Sequence, residues 1–233
     1  MTRARGNTDF IQENKYEKKS ESCYRAIRSM IVEMKLLPGS FIDKSVLCRE
    51  MNVSRQPVTT ALSQLEREGL VEVLPQRGSY VTRLSRKAIA ESLGIRAALE
   101  SYATRRMAER ATEADLAKLD AIVADLDEAL QNHDETKYVD ANHAFHLAIA
   151  GSSGFGKLVN QVDIGLAMTA RAARMLPSDI WLNQSFQEHH RDIVSALRKH
   201  DGVMACDIAA AHIDTLGEAL LRYSVERPEY FVD

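Results

Sequence analysis

The sequence predicts a mainly α-helical protein in two parts: short helices with a β-hairpin in front, and an all-helical bundle of six behind. Three observations carry this. In VSRQPVTTALSQLEREGLVEVLPQRGSYV, Val53 to Val81, apolar residues recur every three or four positions, then alternate around a turn. From Ile89 onward the alternation is gone and helical spacing dominates. Charge divides in the same place. Residues 1–84 carry 14 Lys/Arg against 10 Asp/Glu, and residues 85–233 carry 16 against 23. A basic front and an acidic back suit two domains, of which only the first would welcome a polyanion.

In the front part, ESCYRAIRSMIVEMKLL places Tyr24, Ile27, Ile31 and Met34 on one helical face, and Pro38-Gly39 stops the helix. DKSVLCREM is a short second helix and Asn52-Val53 the turn after it. Ser54 caps a third helix, with Pro57 in its first turn, where a missing N–H costs little. Val58, Ala61, Leu62 and Leu65 form the buried stripe of that helix, and Gly69 ends it. LVEVL and SYVTR read as strands joined through Pro75-Gln76-Arg77-Gly78.

Three short helices followed by a hairpin make a winged helix-turn-helix. Such a recognition helix enters the major groove N-terminus first, which places Ser54, Arg55 and Gln56 against phosphates and base edges. Arginine can bond guanine O6 and N7 together, and glutamine can pair with adenine. Arg77 at the wing tip is placed to reach the backbone or minor groove, and Gly78 allows close approach.

From Tyr24 to Val81 the run YRAIRSMIV…LLPGS…VSRQPV…ALSQLEREGLV…PQRGSYV resembles the DNA-binding domain of GntR-type bacterial transcription regulators. The resemblance implies that Arg55 reads a base, Ser54 contacts a phosphate and Gly78 lies against the minor groove. Relatives usually carry an arginine where this chain has Thr59. The operator then differs at that position, or Gln56 and Arg77 supply more of the contact.

The back part divides into helices at about 89–110, 113–132, 135–150, 155–175, 180–200 and 203–224. Thr112 with Asp115 resembles a capping box, Asp134 caps the third helix, and GSSGFG and LPSD break the chain on either side of the fourth. The expected boundaries are a DNA-binding domain with an N-terminal tail over 1–84, a hinge over 85–89, a helical domain over 90–225 and a tail over 226–233.

Histidines carry the chemistry of this part. Asn142 and His146 stand four apart, about 40° around a helix, while His190 and His212 lie mid-helix. One amide oxygen and three imidazoles from three helices can hold a divalent ion with positions left open. Taken singly, each histidine is more often a hydrogen-bonded helix residue. His143 and His189 are adjacent competitors whose faces differ from those of His146 and His190, and His133 and His200 sit at helix ends, where the helix dipole favours them. Arg96, Arg171 and Arg174, on otherwise apolar helices, could clamp a carboxylate or form ordinary ion pairs.

The pattern NHAFH…HRDIVSAL…HDG…A…HI is similar to the effector-binding FCD domain of the FadR subfamily, over about residues 90–225. Six helices favour its VanR-type branch. The resemblance implies a zinc, nickel or manganese ion on Asn142, His146, His190 and His212, with asparagine where metal-binding relatives have aspartate. That exchange removes a negative charge and some affinity. It also implies a small carboxylate or sugar acid as effector, met partly by the metal and partly by Arg96, which matches a recurrent family arginine.

The expected protein is a homodimeric, ligand-responsive regulator, most often a repressor in this family, that binds an inverted-repeat operator. Two copies give a specificity that one winged helix lacks. The competing readings are a constitutive DNA-binding protein with a structural helical domain, and a metallohydrolase. The second needs a general base beside the metal; Glu188 and Asp192 flank His190 but point off its face. No enzyme is expected. The N-terminus lacks the apolar block of a signal peptide, no apolar run reaches membrane-spanning length, and Cys23, Cys48 and Cys206 show no metal spacing. A cytoplasmic location with no membrane partner follows.

Overall fold

The computed structural model describes residues 6–177, 182, 184–226, 228 and 231–233. It divides into two units, residues 1–83 and 84–233.

In the first unit, α1 (Gly6–Val32) already occupies much of the stretch expected to be a tail. Cys23, Ile27 and Ile31, four residues apart, are its buried apolar positions among the described side chains, on the helix that packs with α3. The helix ends earlier than Pro38-Gly39 suggests. Met34 takes a left-handed φ of 61°, and Leu36 N–H donates back to Met30 O at 2.9 Å, closing the last turn.

A two-residue strand, β1 (Phe41–Ile42), precedes α2 (Lys44–Glu50), whose N-cap Asp43 accepts from Ser45 and Val46 N–H. The turn residue Asn52 has a φ of 51°. Helix α3 (Arg55–Arg67) buries Pro57, Val58, Ala61, Leu62 and Leu65, and Gly69 beyond it has a φ of 76°. The hairpin is β2 (Val71–Leu74) and β3 (Gly78–Val81), in a three-stranded antiparallel sheet of order β1-β3-β2. The fold expected of the front part is therefore present, with β1 as an extra edge strand.

The second unit holds six helices among the described residues: α4 (Arg86–Arg110), α5 (Glu113–Gln131), α6 (Glu135–Ser152), α7 (Gly156–Ala173), α8 (Gln184–Arg198) and α9 (Gly202–Glu226). The start expected for the fifth of these, near residue 180, lies outside the described residues. Capping explains the starts: Thr112 and Asp115 form the capping box, and Asp134 accepts from Lys137 N–H at 2.9 Å. The C-terminal residues expected as a tail are held instead. Phe231 bridges Leu84, and Asp233 accepts from Arg86 N–H at 2.6 Å and from Ser85 Oγ–H at 2.5 Å. No helix among the described residues is long and apolar enough to cross a membrane.

Two apolar clusters fill this unit; five of the six described helices run through both, and α8 packs into one of them. Along α4 one cluster ends at Leu93 and the other begins at Ala103; along α6 they are represented by Ala141 and Phe145. Between them lies a buried polar layer that includes Arg96, Glu100, His146, Thr169, His190 and His212. Burying such groups is costly unless each is paired or serves a ligand, and this layer is the candidate site.

Candidate functional site

The first unit presents Ser54, Arg55, Gln56 and Thr59 exposed at the start of α3. Ser54 occupies the N-cap position, yet its hydroxyl makes no cap hydrogen bond, so its oxygen is not committed to the helix. Thr59 does not project freely: its hydroxyl donates to Arg55 O at 2.9 Å. Arg77 is exposed at the hairpin tip, and its carbonyl accepts from Tyr80 OH at 3.1 Å. Gly78 has a reason within the chain. Its φ is 104°, and a Cβ there would lie 2.5 Å from the Phe41 ring.

In the second unit α6, α8 and α9 bring His146, His190 and His212 together. Ring centroids are 4.4 Å apart for His190–His212, 5.2 Å for His146–His212 and 5.8 Å for His146–His190. One nitrogen from each ring falls within 4.8 Å of the others. All three are buried, and each has a nitrogen with no hydrogen-bond partner among the described residues: Nε2 of His146, Nε2 of His190 and Nδ1 of His212.

The opposite nitrogens of two rings are fixed. His146 Nδ1–H donates to Glu100 Oε2 at 2.6 Å, and His190 Nδ1–H donates to Gln187 Oε1 at 3.1 Å. Gln187 is oriented in turn, donating to Asp127 Oδ1 at 2.8 Å and to Val123 O at 3.2 Å. Carboxylate and amide oxygens only accept, so both rings carry their proton on Nδ1 and leave Nε2 bare. Outer groups orient metal-binding imidazoles in this way. The residues present therefore fit a divalent ion: three buried imidazoles clustered together, each with a nitrogen that has no partner among the described residues.

Glu100 was not singled out from the sequence, and it organises the site. It accepts from Arg96 Nε–H at 2.7 Å while holding His146, and both side chains are almost wholly buried. Although burial pushes the carboxyl up, the charges and hydrogen bonds of Arg96 and His146 outweigh it and lower the pKa to about 2. Arg96 also donates to Thr169 Oγ1 at 3.0 Å. Gly165 makes room for its stem, since a Cβ there would lie 2.7 Å from Arg96 Cγ. The visible signal was local: Arg96 and Glu100 are four apart on α4.

The other expected residues fall as follows. Asn142 is half-buried one turn before His146 on α6. Arg171 is wholly buried on α7, where burial lowers its pKa to about 10, and Arg174 is half-buried at the C-cap of the same helix. The positive charge acting on all three imidazoles is that of Arg96. His143 pairs with Asp163 at 2.7 Å. His189 is half-buried, its ring 5.8 Å from that of His212.

Known proteins match both units. Residues 19–81 match the family of bacterial regulatory proteins called gntR, and residues 91–215, over half the chain, match the FCD domain. The chain belongs to the FCD-bearing gntR family. The transcriptional repressor RspR of Escherichia coli is 26% identical over 91% of this chain and 93% of its own length. LutR, a transcriptional regulator of Bacillus subtilis, is 29% identical over 84% of this chain and 99% of its own. Among solved structures, McbR/YncC of E. coli superposes with a TM-score of 0.79 at 20% identity, covering 88% of this chain and 98% of that one. A putative GntR regulator from Rhodococcus sp. RHA1 gives 0.74 at 18% identity, with the same coverage. These two likenesses show the fold.

This gntR-family protein is thus a DNA-binding transcriptional regulator and not an enzyme. Its buried histidines give it a pH dependence. Desolvation lowers the pKa of His146 and lowers those of His190 and His212 well below the ordinary value. As pH falls through about 6.5 the unfolded chain takes up protons that the native rings refuse. Stability of the metal-free regulator should therefore fall with pH, by up to about 1.4 kcal/mol per pH unit for each imidazole that stays neutral. Urea unfolding between pH 7.5 and 5.5 measures it, and the slope should drop when His212 is replaced by phenylalanine.

Proposed function

We propose that this regulator is a homodimeric, ligand-responsive repressor that reads an inverted-repeat operator and is controlled from the polar layer of its helical unit. The effector is a small carboxylate or sugar acid. It meets a divalent ion (zinc, nickel or manganese) held by His146, His190 and His212, with Asn142 as an added oxygen ligand. On its other side lies the positive charge of Arg96, with Arg171 and Arg174 as further candidates to hold the anion. The single observation behind this reading is the set of three buried imidazoles, each with an unpartnered nitrogen, beside a buried Arg96–Glu100 pair. A helical domain serving only as scaffold has no use for such groups, whose burial costs stability. The repressor role follows the likeness to RspR, a transcriptional repressor.

On DNA, Ser54 would contact phosphate and Arg55 and Gln56 would read bases. Thr59, turned back on its own helix, leaves more of the contact to Gln56 and to Arg77, with Gly78 at the wing. Selection from a random duplex pool should return an inverted repeat. On that site Arg55→Ala should lose about 1–3 kcal/mol and relax the preference at one position per half-site. Arg77→Ala should weaken all sequences alike. Unchanged affinity of Arg55→Ala at fixed salt overturns the assignment of α3. The effector arm uses a panel of small carboxylates with zinc present: one of them should release the operator from wild-type protein but not from His190→Ala.

A further inference from the structure

Helices α4 and α9 lie antiparallel in a single register. Arg86 of α4 meets Ser224 of α9, Leu93 meets Gly217 and Ala108 meets Gly202, so each step along one helix is matched by an equal step back along the other. The approach is close at the middle contact, where a Cβ on Gly217 would lie 3.1 Å from Leu93 Cδ1. Both helices enter the polar layer: Arg96 and Glu100 lie there on α4, and His212 on α9. About 15–18 Å away along the same two helices, the pair is joined a second time.

Arg86 is the centre of this second junction. Its Nη2–H donates to Ser224 O at 2.6 Å, its Nε–H to Ser224 Oγ at 2.9 Å, and its Nη1–H to Asp233 O. The Phe231 ring centroid lies 5.6 Å from the same guanidinium. The Asp233 carboxylate accepts from Ser85 Oγ–H at 2.5 Å, Arg86 N–H at 2.6 Å and Lys87 N–H at 3.4 Å. Val232 N–H donates to Leu84 O at 3.0 Å. Ser224 stands in the last turn of α9, and Arg86 and Lys87 in the first turn of α4. These bonds therefore satisfy backbone groups that helix ends leave open. Leu84 is also where the chain enters the helical unit from the first unit.

We propose that residues 231–233, with Arg86 and Ser224, form a strap that carries the state of the polar layer to the entrance of the helical unit. The proposal rests on the reading of that layer as a metal and effector site, and adds the path by which its occupancy is felt. Glu100 holds His146 to α4, so filling the site ties α9 to α4 through His212. Fixing two packed helices against each other at one place favours any contact farther along that needs the same register, and the fork of Arg86 on Ser224 is such a contact. A ligand that binds the strapped state better shifts the population toward it. Linkage makes the effect reciprocal: the strap raises the affinity of the site by the same factor. A strap that only capped the two helices would do neither.

Zinc alone, added to the full-length protein, tests this. Hydrogen exchange over residues 84–90 of the wild type should slow about tenfold when zinc is added. Arg86→Met cuts the tie to Ser224 but leaves the Asp233 carboxylate on the N–H groups of α4; Asp233→Ala removes that carboxylate. Calorimetric titration should show each variant still binding zinc, about tenfold more weakly than the wild type, although Arg86 lies about 15 Å along α4 from Arg96. The double variant should fall within about threefold of either single one, because both break the same strap, whereas unrelated damage would multiply. Exchange unmoved by zinc in the wild type, equal zinc affinities in all four proteins, or losses that multiply in the double variant overturn the strap and leave the metal site standing. A wild type that binds no zinc overturns both.

Discussion

Glu100→Ala should destabilise the helical unit by about 3–5 kcal/mol, the usual penalty for leaving a buried charge without its partner. The carboxylate accepts from Arg96 Nε–H at 2.7 Å and from His146 Nδ1–H at 2.6 Å, and it is 3% exposed. Removing it leaves the Arg96 guanidinium, itself buried, with its hydrogen bond to the neutral Thr169 hydroxyl and no carboxylate from Glu100. At about 2–4 °C per kcal/mol for a unit of this size, the loss should lower the thermal midpoint by roughly 6–20 °C. Glu100→Gln keeps the shape and can still accept from His146, so it should lie between wild type and Glu100→Ala. The charge itself also sets an acid limit. The carboxyl is depressed from 4.5 to about 2, so the stability it contributes is present above the ordinary glutamate range and lost as pH falls through about 2. A thermal midpoint unmoved by Glu100→Ala would show that the pair does not hold the layer together.

Zinc, nickel or manganese added to metal-free protein should raise that midpoint. Ligand at 100 times its dissociation constant stabilises the native state by about 2.7 kcal/mol, or roughly 5–10 °C here. His146→Ala, His190→Ala and His212→Ala should each lower metal affinity by more than the 10–100-fold typical of an outer-shell residue. His143→Ala should leave it unchanged, because that ring is committed to Asp163. Asn142→Asp should tighten binding by adding a charge. Glu100 bears on this site too: it supplies through His146 a negative charge that the asparagine lacks. Metal analysis of untagged protein, followed by calorimetric titration, checks both affinity and stoichiometry. Midpoints indifferent to all three ions would remove the metal and leave an anion site of imidazoles and arginine.

The difference between what was legible and what was not follows contact range. Helix starts depend on groups three residues apart, and Thr112 with Asp115 and Asp134 with Lys137 were readable for that reason. The stripe of α3 and the turns at Asn52 and Gly69 are similarly local. Strand β1 has two residues and no periodicity of its own; only its pairing with β3, nearly forty residues on, makes it a strand. The end of α1 departs from the expectation at Pro38-Gly39 because Met34 turns the chain there.

The site divides along the same line. The sequence by itself determined the recognition helix and hairpin, the six-helix pattern, and which histidines recur at inward-facing positions, because each depends on residue types at fixed short spacings. Only the tertiary structure decided what those histidines meet. Glu100 reaches His146 across 46 positions, and Gln187 reaches Asp127 across 60. It likewise revealed that Gly78 is required by Phe41 and that Asp233 returns to the start of α4. Burial sets the charge state of each group, and burial is the sum of contacts from elements distant in the chain, which no window of a few residues contains.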